Sequence, residues 1–171
     1  MGNGKTGVVI LSVMGLLWCF GGSLTLPSVW RGIAGFGGLL ISTALLYSNS
    51  VIPATPGKLD GRIFRLSVTF EFVGIGLVAW ILIAAHYQGF IFPAVVIIVG
   101  LHFIGMWLAT GKAAYATLAG VMCGTGLLAA LMPFPVRTQI SGIGSAIALW
   151  GVALQDIFSR TAPSITPNNS D

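Results

Sequence analysis

Few residues in this chain can do chemistry, and the first of them stands among apolar neighbours. Glu71 lies within TFEFVGIG, residues 69–76, inside a long run suited to lipid. A carboxylate facing hydrocarbon costs several kcal/mol, so it is expected to face a bundle interior, a partner or water. His102 lies in the next apolar run, within VGLHFIG. At about 1.5 Å per helical residue, Glu71 sits roughly 7 Å above the start of its run and His102 roughly 12 Å above the end of its own. The two runs are consecutive and therefore antiparallel, so acid and imidazole share a depth and can hydrogen-bond directly or through water. Burial disfavours the charged acid, whereas a cationic neighbour favours it. Such a pair suits proton exchange or recognition of a cation along a pathway. The plainer alternative is a structural bond between helices. Arg65, six residues before Glu71, is a second candidate partner.

The remaining candidates carry weaker signals. Asp156 ends the last apolar run and reads as an interfacial acid. His86 ends the run that holds Glu71, beside Tyr87 and Gln88. A haem between His86 and His102 would need both at one depth, but they differ by roughly 16 Å. Cys19 and Cys123 lie in apolar segments without a CxxC spacing and read as small buried residues. A metal site would require both thiols, His102 and a carboxylate to converge; neither metal nor cofactor is expected. No Ser–His pair has a nucleophile context, and HExxH and paired-Asp motifs are missing. GNGKTG at residues 2–7 lacks the earlier glycine and preceding strand of a phosphate loop. MGNGKT fits a loose myristoylation pattern, but an acyl chain adds little next to a membrane span.

The elements that must position these residues follow from composition. The chain has 171 residues, 56% hydrophobic and 7% charged, with mean hydropathy +0.95. Soluble proteins carry about a quarter charged residues. The sequence therefore predicts an all-α, polytopic membrane protein whose first partner is the lipid bilayer. Six runs approach the roughly 20 residues a span needs: 7–26, 32–47, 66–86, 91–110, 113–132 and 138–158. They form one transmembrane domain, followed by a polar tail, 159–171, expected to be disordered. The first run continues too long for a cleaved signal peptide. Short connections, apart from the loop at 48–65, make neighbouring helices antiparallel. Lys5, Lys58, Arg62, Arg65, Lys112 and Arg160 then share one side, against Arg31 and Arg137 on the other. The excess predicts that both termini are cytoplasmic; the expected location is the plasma (inner) membrane. Scattered basic residues argue against nucleic acid as a partner.

Glycine is abundant, with 24 residues, and Ala116, Gly120 and Gly124 fall on one helix face. Small residues let helices approach closely in lipid, within one bundle or between copies in a homo-oligomer. Two half-chains also resemble each other. A shift of 85 residues matches WRGIAG (30–35) with YATLAG (115–120), and a shift of 68 matches EFVGIG (71–76) with QISGIG (139–144). Units of three spans must be inverted, a plan common among transporters. Glu71 then corresponds to Gln139, near the opposite face.

The run FE…FPAVVIIVGLHFIGMWLATG…Y…G, residues 70–124, resembles a loose group of small six-helix bacterial membrane proteins. The resemblance implies the helical membrane fold and transfers no activity. Small six-helix solute channels share the size and span count, but their residue motifs are not present. The expected function is passage or coupled transport of a small solute or ion, with Glu71, His102, Gln139 and Arg65 on the pathway. The alternatives are a non-transporting module (an accessory subunit, immunity factor or sensor) and, third, an intramembrane enzyme.

Overall fold

The computed structural model describes residues 3–53 and 59–161. Lys58 and residues 162–171 of the tail lie outside the described residues. Six long helices dominate, and no strand occurs among the described residues. They are α1 (Asn3–Ser23), α2 (Ser28–Val51), α3 (Gly61–Ala84), α4 (Ile91–Thr110) and α5 (Ala113–Ala130), and α6 (Val136–Thr161). All six are long and apolar enough to cross a membrane. GKT falls in the first turns of α1, and Lys5 Nζ donates to Ser50 O at 3.0 Å, so the phosphate-loop reading ends there.

Local chemistry sets the helix ends. The polar start of α3 escaped the hydropathy reading. The Asp60 side chain caps it by accepting from the N–H groups of Arg62 and Ile63, at 2.9 and 3.2 Å. That satisfies two donors the first turn cannot pair internally, and moves the start from the expected residue 66 to Gly61. At the other end, His86 adopts φ +60°. Its N–H bonds Ile83 O and that of Tyr87 bonds Leu82 O, at 3.1 and 2.7 Å. This is the paired-carbonyl stop of a Schellman motif, a position usually given to glycine. α4 stops at Gly111, at φ +71°.

The neighbours are antiparallel. α1 packs on α2 and α6, α4 packs on α3 and α5, and α5 also meets α6. Val96, Met122, Ala146, Leu149 and Ala153 are fully buried at the centre. Helices this apolar on every side are held to one another by close packing of small residues. Where α1 crosses α6, a Cβ on Gly22 would stand 2.8 Å from Gly142 Cα, so the backbones touch. The same stretch of α6 widens into a π turn, Ile140–Gly144, which the sequence reading treated as plain helix. Trp150 pins α6 to the first two helices: its indole N–H reaches Ser42 Oγ at 3.1 Å, and Ser42 Oγ donates to Ser12 O at 3.0 Å. The glycines of the predicted α5 face behave otherwise. A Cβ on Gly120 or Gly124 would meet nothing within 4 Å, so that face is not what holds the bundle together.

One end of the bundle collects the charges. Asp156 holds Lys112 Nζ at 2.7 Å and also pairs with Arg160. Arg160 also donates to Asn49 Oδ1 at 2.9 Å, and Asn49 donates to Lys5 O at 3.0 Å. The N–H of Asp60 bonds Ala109 O at 2.9 Å, which brings the start of α3, with Arg62 and Arg65, to the same end. Arg31 and Arg137 lie at the other. Arg137 stacks over Phe90 at 3.8 Å from its ring centre.

Candidate functional site

α3 is the least buried long helix and leans chiefly on α4. The contact depends on Gly105. A Cβ there would lie 2.6 Å from Ser67 Cβ, so only glycine leaves room for Ser67 to enter the α4 surface. Gly105 stands one turn beyond His102, and Ser67 one turn before Glu71. Helical spacing of three and four residues puts each pair on one face. The crossing thus brings Ser67, Glu71 and His102 together.

Their geometry fixes the roles. Ser67 Oγ donates to His102 O at 2.8 Å, which uses its only proton. Ser67 Oγ also stands 3.1 Å from His102 Nδ1, so there it accepts and Nδ1 carries the hydrogen. Glu71 Oε2 lies 3.4 Å from the same nitrogen. That is an ion-pair contact, longer than a good hydrogen bond. Hydroxyl and carboxylate therefore compete for one ring nitrogen. In a nucleophilic triad they would occupy opposite nitrogens, so these three residues do not have triad geometry. Nε2 is left to receive a proton or, once protonated, to donate one.

The Glu71 side chain is 22% exposed and His102's 9%. Both open onto a cavity of about 480 Å³ between α1, α3 and α4, within the usual range for small-ligand sites. Its wall is almost wholly apolar and rich in aromatic rings: Trp18 from α1, Phe64 and Phe72 from α3, Phe92 and Phe103 from α4. Among the described residues no lysine or arginine lines it. Tyr115 closes one side, stacked on Phe103 at 6.1 Å. Because α3 starts at Gly61, Glu71 lies about 15 Å along it, near the middle of the helix.

The other predicted residues go elsewhere. Arg65 Nε donates to Gly61 O at 3.1 Å, back along its own helix, so it does not partner Glu71. Gln139 is half-buried in α6 and outside the cavity wall. His86 is an exposed helix stop. Cys19 Sγ faces Ala34 O at 3.4 Å and Cys123 Sγ faces Ile97 O at 3.7 Å, each filling a helix crossing. Among the described residues no group of three His, Cys, Asp or Glu side chains could hold a metal ion. Asp156 belongs to the ion cluster at the bundle end.

Sequence reasoning missed Ser67 and Gly105. The signal was the spacing of Ser67 to Glu71 and of His102 to Gly105, which marks two faces able to meet. The aromatic wall was read as anchors and packing, because helix pairing rather than composition decides which rings converge. Compared with known protein families, curated proteins and solved structures, the chain matches none.

Proposed function

We propose that the protein is a multi-pass integral membrane protein of the plasma (inner) membrane, with cytoplasmic termini, that moves a small solute through the cleft at Glu71 and His102. The observation that carries this reading is that the two side chains meet at a cavity wall. A sealed contact would serve structure alone; this acid keeps one side open to a space large enough for a solute. Glu71 lies 3.4 Å from His102 Nδ1 at the edge of that space, so solute binding and proton binding compete or assist each other at one point.

The packing pattern supports the inverted-repeat plan. α1 holds α2 and α6, as α4 holds α5 and α3, which is the pairing expected when three helices are repeated. The halves then differ where α6 is packed on both sides and α3 on one. That difference is what leaves the cavity beside Glu71 rather than beside Gln139. The open Gly120–Gly124 face of α5 is our candidate contact for a homo-oligomer.

The test is flux in proteoliposomes carrying a pH-sensitive dye, with candidate solutes added under an imposed proton gradient. The expected result is solute-dependent proton movement that Glu71→Gln and His102→Ala abolish while melting in detergent stays cooperative. A wild-type protein silent to every solute, co-purifying with a partner in fixed ratio, would establish the accessory-subunit reading instead.

A further inference from the structure

We infer that the cleft takes an organic cation with an apolar tail, a single-chain alkylammonium, reaching it sideways from the hydrocarbon between α1 and α3. This rests on the solute-binding reading of the same cleft and names the class of ligand.

Three observations fix the class. The first is charge. Among the described residues Glu71 is the only acid in the wall, no basic side chain faces it there except His102, and that contact is 3.4 Å long. Among the described residues no other side chain donates to Glu71, so most of the hydrogen-bonding capacity of its carboxylate remains unused. An ammonium group supplies up to three donors, and a carboxylate or phosphate ligand would meet repulsion. The second is the rest of the wall. Apolar side chains cannot replace the hydration shell of an inorganic cation, which needs several oxygen ligands. They suit an alkyl chain, and aromatic faces attract a cation directly. The third is the opening. Leu17 on α1 and Phe72 on α3 line the cavity yet are 58% and 70% exposed. They form a rim on the outer flank of two helices that are apolar enough to lie in lipid. A molecule dissolved in the bilayer meets this rim before it meets either end of the bundle.

The experiment uses the full-length protein in nanodiscs of zwitterionic lipid and a nonylamine probe with a photoreactive diazirine in its tail. Cross-linked peptides are mapped by mass spectrometry, with nonylamine, nonanol and nonanoate as competitors. The expected result is saturable labelling confined to residues 7–21, 64–75 and 92–106, the stretches of α1, α3 and α4 that line the cavity, displaced by nonylamine and not by the alcohol or the acid. Glu71→Gln should weaken it at least about tenfold, one hydrogen-bonded charge contact being worth roughly 1.5–3 kcal/mol, and Glu71→Asp should restore most of it. Melting in detergent reports folding of each variant. Labelling spread evenly over all lipid-facing helices, equal displacement by nonanol, or unchanged labelling in folded Glu71→Gln would overturn the assignment. Flux is read separately. Glu71-dependent amine binding without flux upholds the ligand class and removes transport. Glu71-dependent flux of another solute that nonylamine does not inhibit removes the ligand class and leaves transport standing.

Discussion

Replacing Gly105 with alanine tests how the site is built. A Cβ at that position would stand 2.6 Å from Ser67 Cβ, where carbon atoms prefer about 3.5–4 Å. α3 must retreat from α4 by roughly 1 Å to relieve the overlap. The 3.1 Å and 2.8 Å contacts of Ser67 Oγ with His102 then lengthen past the roughly 3.2 Å limit of a useful bond. Two bonds at about 0.6–1.5 kcal/mol each put the loss at about 1–3 kcal/mol. Ser67→Gly removes the same bonds and adds about 0.5–1 kcal/mol for glycine within a helix, but it also removes the obstacle. The double variant should therefore be no less stable than Ser67→Gly alone, a coupling of about 2 kcal/mol in a double-mutant cycle. Equilibrium unfolding in mixed micelles measures it. Additive effects, within about 0.5 kcal/mol, would refute the claim that Ser67 occupies the space left by Gly105.

Gly142→Ala should destabilise by about 1–3 kcal/mol through overpacking against the α1 backbone at Gly22, whereas Gly120→Ala, with nothing near it within one chain, should stay within about 0.5 kcal/mol in the detergent-dispersed monomer; thermal unfolding separates them. Asp156→Asn should cost about 1–3 kcal/mol, because the neighbouring Arg160 side chain, 3% exposed, loses a charged partner; a matching loss on adding salt to the wild type would place the cluster in solvent instead. His86→Gly should leave stability unchanged or raise it by up to about 1 kcal/mol, since glycine takes a left-handed stop without strain. A drop in melting temperature would show that the imidazole makes a contact of its own.

Periodicity and apolar length were enough to read six helices and their antiparallel order, because a span has a fixed length and short connections leave little freedom. Glu71 stands opposite His102 for the same reason, since equal depth on adjacent helices needs only counting. The start of α3 differs from its apolar run, because hydropathy ignores a polar first turn and Asp60 is the visible cap. Arg65 is not the partner of Glu71, because reach along a helix says nothing of direction, and Arg65 turns back to Gly61. The π turn in α6 was illegible: it coincides with the contact between Gly22 and Gly142, which lie far apart in the chain. The cavity was illegible for the same reason. It exists because α3 leans on one neighbour, and only the pairing of helices decides that.

Both proposals require Glu71 to be reachable from the hydrocarbon beside α1 and α3. Carbodiimide labelling in native-like bilayers, read by peptide mass spectrometry, tests this most directly. A hydrophobic carbodiimide should modify Glu71, and a water-soluble one should modify it far more slowly. If Glu71 stays unmodified by the hydrophobic reagent in the folded protein, the acid is sealed between α3 and α4, and the Glu71–His102 contact serves structure alone.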